Sequence, residues 1–164
     1  AKAQLISLEE GVGKMKAALD GRGDPSLVVM GRTGAASVTS LDDAIARAKA
    51  YEAVGVDALF FTGIKSRDEL EAISAVTKLP IVLGGAPEEM NDLAWLAGRR
   101  VRIALQGHAP FAAATQAVYG TLKALREGTA PTNLKGLASS ELTARVTRDA
   151  DMKSRTADFL GLKK

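Results

Sequence analysis

The run LVVMGRTGAASVTSLDDAIARAKAYEAVGVDALFFTG, residues 27–63, decides the fold. A short apolar segment closes on glycine, an amphipathic stretch opens at a serine and stops at another glycine, and a second apolar segment again closes on glycine. The pattern continues with PIVLGG at 80–85 and RIALQG at 102–107. None of the four segments, LVVMG (27–31), ALFFTG (58–63), PIVLGG and RIALQG, shows the alternation of a half-exposed strand. Each reads as a strand buried on both faces, the mark of a parallel sheet.

Helices fill the intervals. Ser40 precedes a stretch whose Leu41, Ala44, Ile45, Ala48 and Tyr51 fall on one face, with Gly55 as its stop. Ser66 and Glu69 form a capping box ahead of Leu70, Ile73 and Val76, and Ser7 with Glu10 forms another at the start of the chain. Pro87 suits the first position of a helix carrying Met90, Leu93, Trp95 and Leu96. Pro110 does the same for a long helix with Phe111, Thr115, Val118, Leu122 and Leu125, ending near Gly128. A polar, proline-containing stretch then leads to a last helix over 140–160, thin in apolar residues (Leu142, Val146, Met152, Phe159, Leu160) and rich in charge. Such a helix is expected to pack on a neighbouring element or subunit. The division expected is βα units over 1–128 and a helical extension over 129–164.

Composition narrows the class. At 164 residues the chain suits one domain, given roughly 100–200 residues per domain. Its 22 Lys and Arg against 19 Asp and Glu are spread along the chain, which gives no nucleic-acid groove and no nucleic-acid partner. The absence of cysteine removes disulfides, thiolate metal sites and a cysteine nucleophile, and fits a cytoplasmic protein. No apolar run reaches the roughly 18 residues of a membrane span. The chain opens on Ala1, ahead of a helix, so the expectation is the trailing part of a longer protein.

Four consecutive βα units suit a small doubly wound sheet or half of an eight-stranded βα barrel, and in both the ligand site lies at the carboxyl ends of the strands. At the first end, Arg32 offers a planar fork of donors for a carboxylate or phosphate, or else a salt bridge to a neighbouring acid. The second end offers the Thr62 hydroxyl, while Lys65 belongs to the solvated helix start. At the third, Gly84 and Gly85 let backbone N–H groups approach an anion or simply make a tight turn. Glu88 and Glu89 suit a helix first turn and read as structural. The fourth end holds Gln106, Gly107 and His108, the single histidine; a neutral imidazole there could donate to a carbonyl or enolate oxygen. There is no G-x-G-x-x-G, no phosphate-loop lysine and no H-E-x-x-H, and GVGK at 11–14 lies inside a helical pattern without a preceding strand.

The order EEGVGKMKAAL, LVVMGRTGAA, LDDAIARAKAYEAVGVDALFF, LPIVLGG and RIALQGHAPFAAATQAVY resembles the carboxyl-terminal half of the isocitrate lyase and phosphoenolpyruvate mutase superfamily. The most specific feature is Arg32, Thr33, Gly34 and Ala35 followed by the helix running to Asp57. The GH after the last strand and the tail ASSELTARVTRDADMKSRTADFLGL are most similar to its oxaloacetate decarboxylase branch. The resemblance implies an α/β fold: four βα units forming the C-terminal half of a (β/α)8 barrel, plus a helical extension. It also implies a lyase that decarboxylates a small α-keto dicarboxylate, oxaloacetate, to a metal-stabilised pyruvate enolate. Mg2+ would be held by acids on early strands upstream of this chain, in the N-terminal half of the barrel. Arg32 would bind the substrate carboxylate, His108 would orient the keto acid or enolate, and Thr62 and Gly84 would line the substrate site. The assembly implied is a tetramer that exchanges its last helical region between subunits.

Gly34 stands where the superfamily usually has Asp, Thr62 and Gly63 where carbon–carbon lyases often carry Glu, and Gly84 with Gly85 where many members have Asn. These departures weigh against isocitrate-type or 2-methylisocitrate-type cleavage. The other readings are a phosphonomutase or carbon–carbon lyase of the same barrel, and a keto-acid-binding or structural fragment without turnover.

Overall fold

The computed structural model describes residues 3–161. The chain forms two compact units, Ala1–Gly107 and His108–Lys164. The first contains helix α1 (Leu8–Asp20), strand β1 (Met30–Thr33), the short helix α2 (Ala35–Val38), α3 (Leu41–Ala53), β2 (Ala58–Phe61), α4 (Arg67–Val76), β3 (Ile81–Leu83), α5 (Leu93–Gly98) and β4 (Val101–Ala104). The second contains α6 (Ala109–Arg126), α7 (Ser140–Val146) and α8 (Asp149–Leu160). The long helix α6 lies in the second unit.

All strands of the sheet are parallel and lie in the order β1-β2-β3-β4. A doubly wound sheet reverses its order at a switch point, whereas a βα barrel adds each strand beside the last. The unbroken order selects the barrel.

Caps set the helix starts as the sequence implies. The hydroxyl oxygens of Ser7, Ser40 and Ser66 accept from the backbone N–H of Glu10, Asp43 and Glu69, each three residues on. Each such cap is worth about 1 kcal/mol. Gly55, at φ +92°, ends α3 in the left-handed region that only glycine adopts without strain. Arg47 is 5% exposed; its Nε donates to Asp43 at 2.9 Å and its Nη2 to the Ile6 carbonyl at 2.9 Å, tying α3 to the segment that enters α1. Burial pulls the Arg47 pKa down, but the hydrogen bonds with Tyr51 and Asp43 outweigh it and leave the guanidinium pKa raised.

The core lies between the sheet and its helices. Leu59, Phe61, Ile81, Leu83 and Val101 point into it from the strands and meet Ala48, Tyr51, Leu70, Ile73 and Leu96 from α3, α4 and α5. Gly31 belongs to this face too, where a Cβ would come within 2.7 Å of the Tyr51 ring. Fully burying a residue such as Leu59 or Phe61 contributes about 2–3 kcal/mol.

Five expectations need correction. The first strand begins at Met30 rather than Leu27, because the Asp57 carboxylate accepts from the Val29 N–H at 2.7 Å and from Arg22 at 2.8 Å and folds 22–29 into a loop. The last strand likewise ends at Ala104 and not at Gly107. Burial on both faces holds for β3, whose three residues are all buried, but β1 alternates exposed and buried and Ile103 on β4 is 51% exposed, because among the described residues the helices cover only the other face of these two strands. Pro87 caps a single 3-10 turn, Glu88–Met90; α5 starts later, where the Asp92 carboxylate accepts from the Trp95 N–H at 3.0 Å. The single helix expected over 140–160 is two, separated at Arg148, whose φ of 56° breaks the helical path.

Candidate functional site at the strand ends

Backbone register decides which side chains share the face of the sheet opposite the core. Residues paired across parallel strands point the same way and alternate along each strand. Arg32 pairs with Phe60, and Phe60 with Val82. One residue is added in β4 between the partners of Ile81 and Val82, so that Val82 pairs with Ile103 and the alternation is kept. Met30, Arg32, Phe60, Val82 and Ile103 therefore occupy one face, opposite the core.

The ladder continues one step beyond each strand. The Thr62 N–H donates to the Thr33 carbonyl at 3.1 Å, that of Gly84 to Phe61 at 2.8 Å, and that of Leu105 to Leu83 at 2.9 Å. These bonds hold Thr62 and Gly84 on the same face as Arg32 and Phe60. Three of the residues singled out in the sequence, Arg32, Thr62 and Gly84, thus converge at one end of the sheet.

The details suit an anionic ligand. The Arg32 guanidinium lies 5.4 Å from the centroid of the Phe60 ring, and among the described residues it makes no ion pair or hydrogen bond. A cation with its donors unused beside an apolar floor can take a carboxylate. The Thr62 hydroxyl likewise has no hydrogen-bond partner among the described residues. A Cβ at Gly34 would lie 2.9 Å from Thr62 Oγ1, and one at Gly84 would lie 2.6 Å from Thr62 Cγ2 and 3.0 Å from Phe60 Cε2. Thr62 therefore fills the gap between two strand ends that carry no side chain. Met90 is wholly buried, and Arg67 Nε donates to the Glu89 carbonyl at 3.0 Å while its guanidinium lies over Trp95; these contacts hold the segment that follows Gly84.

Phe60 was not singled out from the sequence, because an aromatic inside ALFF reads as core. The available signal was parity: Phe60 is two residues before Thr62 and so faces the same way.

His108 belongs to the other unit. It is exposed, precedes α6 as its N-cap residue, makes no side-chain capping bond, and its carbonyl accepts from the N–H groups of Phe111 and Ala112. Also in that unit is a cavity of about 470 Å3 lined by α6 (Ala117, Gly120, Thr121) and the segment after it (Asn133, Leu134, Lys135), none of them sequence-predicted site residues. Among the described residues no three His, Cys, Asp or Glu are grouped so as to hold a metal ion. The face around Arg32 supplies a guanidinium, a hydroxyl and apolar surface, which do not make an oxygen-ligand set for Mg2+.

Residues 1–126 match the family model of phosphoenolpyruvate phosphomutase. The chain belongs to the phosphoenolpyruvate phosphomutase family. It is 75% identical over 162 residues to the oxaloacetate decarboxylase of Bradyrhizobium sp. strain ORS 278, covering 99% of this chain and 56% of that protein. It is 76% identical over 164 residues to the oxaloacetate decarboxylase of Bradyrhizobium diazoefficiens, covering 100% of this chain and 57% of the relative. The chain thus spans a little more than half the length of these curated relatives. Among solved structures, a phosphonopyruvate hydrolase in complex with oxalate and Mg++ is 28% identical with a TM-score of 0.71, over 98% of this chain and 59% of that one. A phosphoenolpyruvate phosphomutase from Streptomyces platensis subsp. rosaceus shares the fold at 23% identity, with a TM-score of 0.74 over 98% of this chain and 57% of that one. The parallel units and C-terminal helices correspond to the carboxyl-terminal half of the family's (β/α)8 barrel with its helical extension.

Proposed function

We propose that the protein carrying this chain decarboxylates oxaloacetate to pyruvate, with Arg32 as the anchor for a substrate carboxylate. The observation that carries the reading is the identity of 75–76% to proteins named oxaloacetate decarboxylase. The Arg32 guanidinium at the strand ends, without an ion pair among the described residues, supports it.

In this reaction the bond between C3 and the C4 carboxylate breaks, CO2 leaves, and the electron pair remains on the keto acid as the enolate of pyruvate, which takes a proton at C3. Arg32 would pair with a carboxylate through its planar fork, and the Thr62 hydroxyl would donate to a substrate oxygen. Gly84 would leave the space that both need. His108 enters the proposal on the sequence resemblance alone, as the group that orients the keto acid or its enolate. A divalent cation would stabilise enolate charge; because the described residues do not fit that ion, its ligands would belong to residues outside this chain and no step here is routed through it. The same reading makes the protein a cytoplasmic homo-oligomer, a tetramer, whose helices after α6 pack on a neighbouring subunit.

The complete protein, supplied with Mg2+ and oxaloacetate, should release CO2 and pyruvate in equal amounts, well above the release by Mg2+ alone. Release no faster than that background would overturn the reading, and turnover of 2-methylisocitrate or a phosphonate instead would move the activity to another branch of the family.

A further inference from the structure

We infer that Phe60 is a positioning residue: its ring serves as the platform that fixes the orientation of the Arg32 guanidinium for a substrate carboxylate. The inference rests on the proposed role of Arg32 and extends it to a side chain that would not touch the substrate's reacting atoms.

An arginine side chain with no acid beside it among the described residues keeps much of its rotamer freedom, and ordering such a chain on binding costs about 0.5–1.5 kcal/mol. The usual remedy, an ion pair with a neighbouring carboxylate, would occupy the same N–H groups that must meet the substrate. In this site the support comes from a ring instead. Arg32 and Phe60 are direct cross-strand partners in the β1–β2 register, and the guanidinium carbon lies 5.4 Å from the ring centroid. A cation held over an aromatic face uses the ring quadrupole and leaves its in-plane N–H fork free.

The other side of the ring explains why β3 ends in glycine. A Cβ at Gly84 would approach Phe60 Cε2 to 3.0 Å and Thr62 Cγ2 to 2.6 Å. The ring therefore extends across the sheet face from Arg32 toward Gly84, in space that any other residue at 84 would contest. Gly84 acts here by lacking a side chain, which is a different role from presenting its N–H to an anion. Phe60 is half-buried in this arrangement and belongs to the face opposite the hydrophobic core.

The test uses the complete protein with Mg2+ and reads two quantities for each variant: KM and kcat for oxaloacetate, and the dissociation constant of the analogue 3,3-difluorooxaloacetate by calorimetry under conditions where it releases no CO2. Phe60→Leu, which keeps apolar bulk but removes the quadrupole, should raise KM and the dissociation constant by about fivefold and leave kcat within about twofold. Phe60→Tyr should restore both binding values. Replacing Phe60 by ring-fluorinated phenylalanines, which hold the shape while draining the ring face of negative charge, should weaken binding stepwise with the number of fluorines. That series also serves if Phe60→Leu does not fold. Binding that ignores fluorination, or that falls equally in the Leu and Tyr variants, would overturn the inference. Should the variants show this dependence in binding the analogue while the unchanged protein releases no pyruvate, the decarboxylation reading fails and the positioning role stands.

Discussion

In Ala1–Gly107 the side chains of Leu59, Phe61, Leu70, Ile73, Ile81 and Leu83 are almost wholly buried, whereas in His108–Lys164 the helices α6, α7 and α8 have no buried residue among those described. Both regions are amphipathic. In the first, parallel strands present every second residue to helices on one face, so burial stabilises the fold directly. In the second, Phe111, Val118, Tyr119 and Leu122 line α6 with their apolar surface uncovered, and local terms dominate. These are the Ser139 cap on the Leu142 N–H and surface ion pairs such as Lys153–Asp149. The candidate site residues follow the same division. The first unit places Arg32, Thr62 and Gly84 with the ladder bonds of a rigid sheet, while the histidine heads an exposed helix.

The comparison predicts a graded series. Phe61→Ala should cost about 3–5 kcal/mol in chemical denaturation, as expected for an aromatic removed from a packed core. Phe159→Ala, at a position 81% exposed in the chain by itself, should cost less than about 0.5 kcal/mol when the same assay is run on this chain alone. Equal losses would break the distinction between the units. Asp57→Ala should come next at about 1–3 kcal/mol, since it leaves the Val29 N–H and Arg22 without their shared acceptor. Amide exchange should show loosening of the 22–29 loop and not of α8. Ser66→Ala should cost about 1 kcal/mol and shorten α4 from its N-terminus. Lys153→Ala should cost at most about 0.5 kcal/mol and lose even that at high salt, because the pair lies in water.

Much of the first unit is legible in the sequence because its signals are local. Ser7, Ser40 and Ser66 mark helix starts by side-chain chemistry that acts within four residues, and glycine at 55 marks a stop. Strand ends are less legible, since LVVMG is apolar enough for a strand, and it takes a distant carboxylate, Asp57, to bend its first half into a loop. The break between α7 and α8 rests on Arg148 in the left-handed region, a conformation that arginine does not announce. Proline at 87 misleads for a related reason: it starts a turn, and the capping bond that starts α5 belongs to Asp92.

The site is legible in part. Arg32, Thr62 and Gly84 can be named from their places after apolar runs, but which of them face each other depends on register, including the residue added in β4. Phe60 escapes because the same letters describe a core phenylalanine such as Phe61 and one on the opposite face beside Arg32. Only the alternation along β2 separates the two.

The account depends most on Arg32 acting as a carboxylate anchor on the open face of the sheet, and steady-state kinetics of Arg32→Ala in the complete protein test it directly. Loss of a charge-assisted bidentate contact predicts a fall in kcat/KM for oxaloacetate of about 100-fold, carried largely by KM. The melting temperature should stay within about 2 °C, because the guanidinium makes no ion pair among the described residues. A variant that keeps the kcat/KM of the unchanged protein would contradict the account.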